Sequence, residues 1–263
     1  MAQLHSSAIV DPKAQLGGDV RVGPFSIIGA GVRVGEGTEI GSHVVLAGNT
    51  TIGRNNRIFP HSSIGTIPQD KKYAGEDTQL IIGDGNTIRE FCLINTGTLQ
   101  GGGVTRIGSD NWIMGYTHFA HDCTIGSHTI IANGVQLAGH VRVDDWVVIG
   151  GTAVVHQFVR LGAHSMCGGA SVLVQDLPPF TVCSGYPARP HGVHVEGLKR
   201  REFPPESVAA LRQAYRIVYR ENRALAEALL ALEALIRELP DACAAPVRTF
   251  VEFLAAPGRG IIR

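Results

Sequence analysis

Aliphatic residues recur every six positions along the first two thirds of the chain. They run Val10, Leu16, Val22, Ile28, Val34, Ile40, Leu46, Ile52, Ile58 and Ile64, then resume at Ile82, Ile88 and Ile94. After a second break they continue through Ile107, Ile113, Phe119, Ile125, Ile131, Leu137, Val143, Ile149, Val155, Leu161, Cys167 and Leu173. A step of six fits neither a helix of period 3.6 nor the less regular spacing of hairpins. It predicts short strands with a corner after each, coiled as a solenoid whose anchors stack inside. Three sides per turn make a coil of about 18 residues, and at roughly 4.8 Å between strands about eight coils give a prism about 40 Å long. Glycine follows the anchor in many hexads (Gly17, Gly23, Gly29, Gly35, Gly41, Gly53, Gly126, Gly150, Gly162). There a missing Cβ permits either positive φ or close backbone approach.

Two segments break the register, Thr66 to Leu80 (TIPQDKKYAGEDTQL) and Thr98 to Arg106 (TLQGGGVTR). Loops expelled from a solenoid are where binding and catalysis concentrate. After Pro204-Pro205 the composition turns to Ala, Leu, Glu and Arg. Val208, Leu211, Tyr215, Val218, Leu225, Leu229, Leu232, Ile236 and Leu239 alternate by threes and fours, with Asn222 in the one polar slot. The spacing predicts one long amphipathic helix, begun near Glu206 and stopped by Pro240. Val247, Phe250, Val251 and Leu254 predict a second, short helix before Pro257-Gly258. The expected organisation is mainly β: a parallel β-helix over 1–190, with insertions near 66–80 and 98–106, and a C-terminal helical domain over 191–263. Covering the strand edges at the open end of the solenoid is its expected task.

A length of 263 residues allows one large domain or one with an appendage. Lys+Arg and Asp+Glu balance at 23 each, so charge argues for neither nucleic acid nor an anionic membrane as main partner. Five scattered cysteines without CxxC pairs read as reduced thiols. No apolar run approaches about 18 residues, and the polar start lacks a signal-peptide pattern. The expectation is a cytoplasmic protein without stable membrane insertion.

Histidine carries the candidate chemistry. His5, His43, His61, His128 and His164 lie singly in ordinary hexads and read as surface residues. His118 and His121 instead bracket the anchor Phe119, and His140 and His156 follow at close to coil spacing. Such a stack admits two chemistries. Three imidazoles could hold zinc with an open fourth position. Alternatively, His121 followed by Asp122 offers a base with an ordinary pKa near 6.5 beside a carboxylate that orients it, and this needs no metal.

The blocks IGTIPQDKKYAGE, TLQGGG, HFAHDCTIG, LAGHVRVDD, VVHQFVRLGAH, GGASVLVQDLPPF and EGLKRREF, in that order, resemble the bacterial UDP-N-acetylglucosamine 3-O-acyltransferases of lipid A biosynthesis. The resemblance covers nearly the whole chain, tail included. It implies a left-handed parallel β-helix, a homotrimer with active sites between subunits, and no redox or metal cofactor. It also implies transfer of a 3-hydroxyacyl group from acyl carrier protein to the glucosamine 3-hydroxyl of UDP-GlcNAc. By motif position, His121 is the general base, Asp122 its support, and the Gly139 N–H the oxyanion donor. His118, His140, His156 and Gln157 position substrate. Gln69, Asp70 and Lys72 line the nucleotide-sugar and acyl entrance. Glu196, Arg200 and Arg201 contact uridine and diphosphate, a task suited to the planar guanidinium. Lys71 and the Lys199–Arg201 turn are a further attraction for the acidic carrier. Gly169 leaves the family's acyl groove open and implies a chain of about fourteen carbons, each methylene contributing only about 0.8 kcal/mol.

Family members commonly carry His or Asn followed by Arg where this chain has Asn95-Thr96, and Asn where it has His194. Four rival readings remain: the later N-acyltransferase of the same route, a 3-amino sugar as acceptor, a zinc hydratase, and a non-catalytic scaffold. The later N-acyltransferase usually carries an N-terminal uridine-binding domain, for which hexads beginning by Val10 leave no room.

Overall fold

Each anchor but Ile64 and Ile94, which lie within theirs, ends a strand of two to four residues, such as Arg21–Val22, Ile27–Ile28 and Arg33–Val34, and its side chain points inward. The computed structural model describes residues 1–256 and 258–263, so of the expected Pro257-Gly258 stop, Pro257 lies outside the described residues. Strands stack in parallel from coil to coil on the three sides of a left-handed β-helix, giving sheets of 11, 9 and 8 strands, of which only the last strand of the first sheet, Ala188–Val193, pairs antiparallel. Partners stand one coil apart, as in Gln3↔Arg21 and Ile9↔Ile27. Two coils are longer. Asn56 and Asn86 stack 30 residues apart and Asn86 and Asn111 stack 25 apart, because the two expected insertions leave the coil and return without disturbing it.

Nine strands in the second sheet mean nine coils rather than eight. The repeat starts one hexad before Val10, with Gln3–Leu4, where Leu4 is half exposed at the open end. All anchors from Val22 onward are buried, while Val10 and Leu16 are only partly covered. The five cysteines are free and buried. Burial pushes the Cys92 thiol up to about 11 and the Cys123 thiol up to about 12, so both stay protonated at neutral pH.

The glycines after the anchors serve close approach. A Cβ on Gly23 would lie 2.7 Å from the carbonyl carbon of Gly41 in the next coil. Positive φ falls instead on the third residue after the anchor, and that residue is seldom glycine: Phe25, His43, Tyr116, Asp122, His140, Trp146 and Phe158 all have φ between 56° and 66°. Where that residue is not glycine, as it is at Gly37, Gly85 and Gly134, the corner throws one side chain outward in a fixed direction, and the aromatic and histidine ones stack. Phe25, His43, His61, Phe91 and Tyr116 form one column with ring centroids 4.8–5.1 Å apart. Trp146, His164 and Phe180 form another, in which His164 is half-buried rather than a free surface residue.

After the last coil, strands Thr181–Gly185 and Ala188–Val193 make a hairpin on the first sheet, and position 190 lies within its second strand. Four helices follow: α1 (Val195–Arg200), α2 (Pro205–Tyr219), α3 (Leu225–Glu238) and α4 (Asp241–Ala255). The long helix expected to run past Asn222 is thus two helices. Asn222 takes φ 51° and stops the first, which lets α2, α3 and α4 fold together around Leu211, Leu232, Val247 and Phe250. The second helix is not short; Pro246 sits inside it, and the Ala242 carbonyl that Pro246 leaves unbonded accepts from Ser207 Oγ of α2. The chain end returns to the solenoid, where Asp176 pairs with Ile261 and Ile262 enters the core.

Outward positions differ by face. The first sheet presents Arg21, Glu39 and Arg57 toward the N-terminal end and Trp112, Ile130, Val148 and Met166 toward the C-terminal end, and the second presents Ile9, Ile27, Leu93 and Val154 along with Ser63, His118 and Gln136. The third presents Arg33, Arg106, Arg142 and Arg160.

Candidate active site

The corner between the second and third sheets carries His121-Asp122, Gly139-His140 and Gln157-Phe158 on three successive coils. Coil register places them one above another, with His140 N–H donating to the His121 carbonyl (3.0 Å) and Phe158 N–H to that of Gly139 (3.2 Å). Gly139 has to be glycine, since a Cβ there would lie 2.6 Å from His121 Cε1. The His121 imidazole fills that space. It meets His140 edge-on at 5.1 Å, and His140 stacks on Phe158 at 4.4 Å.

The Asp122 side chain is only 1% exposed and is fully engaged. Oδ1 accepts from Thr98 N–H (2.9 Å), and Oδ2 accepts from Thr98 Oγ1 (2.6 Å) and pairs with His121 Nδ1 (2.8 Å). The Asp122 N–H in turn donates to Thr105 Oγ1 (2.8 Å). Thr98 and Thr105 both come from the second insertion, which wraps this corner. Gly101 of the same insertion passes so close that a Cβ would lie 2.0 Å from Asp122 Cγ. Since a carboxylate can only accept, His121 Nδ1 is the donor, which in the neutral ring makes Nε2 the acceptor.

A cavity of about 790 Å³ opens in front of this corner, lined by Gln69, Asp70, Lys71, Lys72, Thr98, Gln100, Gly101, His121, His140, Gln157 and Phe158. The first insertion supplies one wall, the second the floor, the corner the other wall. Burial holds the His140 pKa below its ordinary value, opposed in part by Asp122, so His140 is neutral here. Among the described residues the Gly139 N–H donates to no protein acceptor. His121, Asp122 and His140 bring one possible ligand atom each within 4.8 Å of one another. Both Asp122 oxygens are already taken by three donors, so a metal ion would have to break that network.

Residues 176–262 match the family of UDP N-acetylglucosamine O-acyltransferase, domain 2, and residues 105–139 match the bacterial transferase hexapeptide repeat. The acyl-[acyl-carrier-protein]–UDP-N-acetylglucosamine O-acyltransferases of Burkholderia lata and Burkholderia mallei are 57% and 58% identical over 263 residues, covering all of both chains. The chain belongs to the UDP-N-acetylglucosamine O-acyltransferase family. Among solved acyltransferase structures, that of LpxA from Acinetobacter baumannii superposes with a TM-score of 0.94 at 41% identity, covering 99% of each chain. The Francisella novicida UDP-N-acetylglucosamine acyltransferase gives 0.95 at 39%, covering 99% of this chain and 94% of that one.

Of the residues expected in an acyltransferase site, Gln69, Asp70, Lys72, His121, His140 and Gln157 line the one cavity, with Asp122 and Gly139 behind them. His118 faces outward from the second sheet, its Nε2 3.1 Å from Asn95 Oδ1, and Asn95 also donates to the Ile67 carbonyl (2.9 Å). Asn95 therefore supports the first insertion, and Thr96 meets Thr78 Oγ1 (3.0 Å) beneath it. His156 is exposed beside Gln157. Glu196, Arg200, Arg201 and Gly169 are not brought to this cavity within one chain. Glu196 pairs with Lys199 (3.2 Å), and Arg201 lies over Trp146 and donates to its carbonyl (2.9 Å). His194 is buried against the His164 carbonyl (3.0 Å). Gly169 sits exposed at another corner, its Cβ position 3.2 Å from the Gly151 carbonyl oxygen. Thr98, Thr105, Gln100, Gly101 and Phe158 join the site without having been expected there; the broken register over TLQGGGVTR was the signal that pointed to four of them.

Proposed function

We propose that this enzyme transfers a 3-hydroxyacyl group from acyl carrier protein to the glucosamine 3-hydroxyl of UDP-GlcNAc, the first step of lipid A biosynthesis. The observation that carries the proposal is the Thr98–Asp122–His121 chain, which presents a free imidazole Nε2 to a cavity of about 790 Å³ in a member of this family.

His121 Nε2 takes the proton of the sugar hydroxyl as its oxygen attacks the thioester carbonyl. Asp122, fixed by Thr98, holds the ring and offsets the imidazolium charge that develops. The Gly139 N–H donates to the tetrahedral oxyanion; such a donor is effective because it is already oriented. The C–S bond then breaks, and the imidazolium returns its proton to the leaving thiolate. Neutral His140 and the Gln69, Asp70, Lys72 and Gln157 side chains orient the sugar.

The remaining expected residues fit a homotrimer whose site lies between subunits. Two faces of the prism turn apolar side chains outward, among them Trp112 (45% exposed), Ile130 and Val154. Packing these against neighbouring copies would bring a partner's Glu196, Arg200 and Arg201, and its His118, His156 and Gly169, toward the cavity. A cytoplasmic location fits donors and acceptors of this kind. Among the described residues no helix is long and apolar enough to cross a membrane.

Mass spectrometry of mixtures of the purified protein, UDP-GlcNAc and 3-hydroxydecanoyl, 3-hydroxydodecanoyl or 3-hydroxytetradecanoyl carrier protein tests this. The expected product is O-acylated UDP-GlcNAc, with the longest chain preferred. Turnover only with a 3-amino sugar would contradict the acceptor assignment.

A further inference from the structure

The third sheet turns a row of arginines outward beside the catalytic corner. Arg106, Thr124, Arg142 and Arg160 stand in register on successive rungs. Rungs are about 4.8 Å apart, and like charges directly opposite one another repel. Arg160 is relieved by the buried Asp176 carboxylate at 2.8 Å, and its guanidinium also donates to the Phe253 and Ala256 carbonyls, tying α4 to the solenoid. Arg106 and Arg142 have no such relief. Both are exposed, and among the described residues no carboxylate comes within 4.0 Å of either, although Asp144 is near enough to feel Arg142. Arg259, held through Nε to the Val174 carbonyl (3.1 Å), adds a fourth guanidinium.

These four arginines line a cavity of about 660 Å³ whose opposite wall is Asp122, His140, Phe158 and the Gly101-Gly102 backbone. That wall is the outer side of the catalytic corner. The chain's charges balance overall, so the positive potential here is local. Trimer packing as proposed above would cover apolar stretches of the other two faces, such as Trp112, Ile130 and Val148 on the first and Ile27, Leu93 and Val154 on the second, which leaves the arginine face open to a partner.

We propose that this face is the docking surface for the acidic body of the acyl carrier protein, seating it so that its thioester arm crosses the Gly101-Gly102 rim to His121. The proposal rests on the acyltransferase reading above. Basic side chains without a paired carboxylate, as Arg106 and Arg142 are, next to a reaction cavity raise the encounter rate of an anionic macromolecule and orient it, with an effect that salt screens.

The test is steady-state kinetics of the full-length Arg106→Glu/Arg142→Glu variant with UDP-GlcNAc and two donors, the 3-hydroxyacyl carrier protein and carrier-free 3-hydroxyacyl-phosphopantetheine, at low and high salt. At low salt the KM for the carrier-bound donor is expected to rise by about tenfold or more, with the wild-type salt dependence flattened. The KM values for UDP-GlcNAc and for the carrier-free donor are expected to stay unchanged. Both positions are exposed, and the milder Arg106→Gln/Arg142→Gln pair, expected to move the same constant less far, replaces the reversal if that fails to fold. An unchanged carrier KM overturns the proposal. So does an equal rise with carrier-free donor, which would assign the row to the phosphate of the arm. No turnover by wild type with either donor would overturn the acyltransferase reading itself, before any variant is compared.

Discussion

Asp122 is fixed by a residue 24 positions away, not by its sequence neighbours alone. The Thr98 hydroxyl is buried with the carboxylate at 2.6 Å, and hydrogen bonds to charged groups contribute about 1.5–3 kcal/mol. Thr98→Val keeps the backbone donor and removes the hydroxyl, so kcat should fall roughly tenfold to a hundredfold with little change in the KM for UDP-GlcNAc. Thr98→Ser should restore most of it; a valine variant as fast as wild type would show that Asp122 needs no such anchor. At this scale the His121-Asp122 pair was legible because the two residues are adjacent in the chain. Thr98 was not, because its role depends on how an expelled loop folds back over the corner. The motif LAGH pointed to the Gly139 backbone, but that the missing Cβ also makes room for the His121 ring emerges only when neighbouring coils are stacked.

Corners and helix ends decide what the elements do. The six-residue period predicts the strands because each anchor is buried in turn, yet the period is silent on which corner residue adopts positive φ. Aromatic, histidine and aspartate side chains occupy that position here, and their stacking across coils supports it. His164 is one of them. Packed between Trp146 and Phe180 and facing Arg201, with Asp145 and His194 nearby, it has its pKa pulled down to about 4, chiefly by burial. It is neutral in the fold, whereas an unfolded histidine takes up a proton below about 6.5. The unfolded state therefore binds more protons between those limits, and stability should drop as pH falls from about 6.5 toward 4. The melting temperature of His164→Gln should decline less steeply over that interval than that of wild type; parallel curves would mean that His164 does not titrate this way. The helical tail shows the opposite limit of pattern reading. Its alternation of threes and fours continued smoothly across Asn222, because α2 and α3 contribute apolar faces to one shared core, and only the left-handed Asn222 backbone marks the fold-back.

For the whole molecule, two faces of the prism carry apolar outward stretches and the third an arginine row, and the cavity of a single chain lacks the expected Glu196, Arg200, Arg201 and Gly169. The homotrimer proposed above would account for both. Trp112→Glu should shift sedimentation from trimer toward monomer and abolish turnover together, whereas an active monomer would refute a site shared between subunits. The solenoid and its appendage were readable from periodicity and composition, but the division of faces was not, since outward residues follow no period of their own. The central claim is that His121 is the base. Its most direct test is the turnover of His121→Ala, with trimer assembly measured on the same preparation. A loss of about a hundredfold or more in kcat by an intact trimer is expected; retention of more than about a tenth of wild-type activity would contradict the assignment.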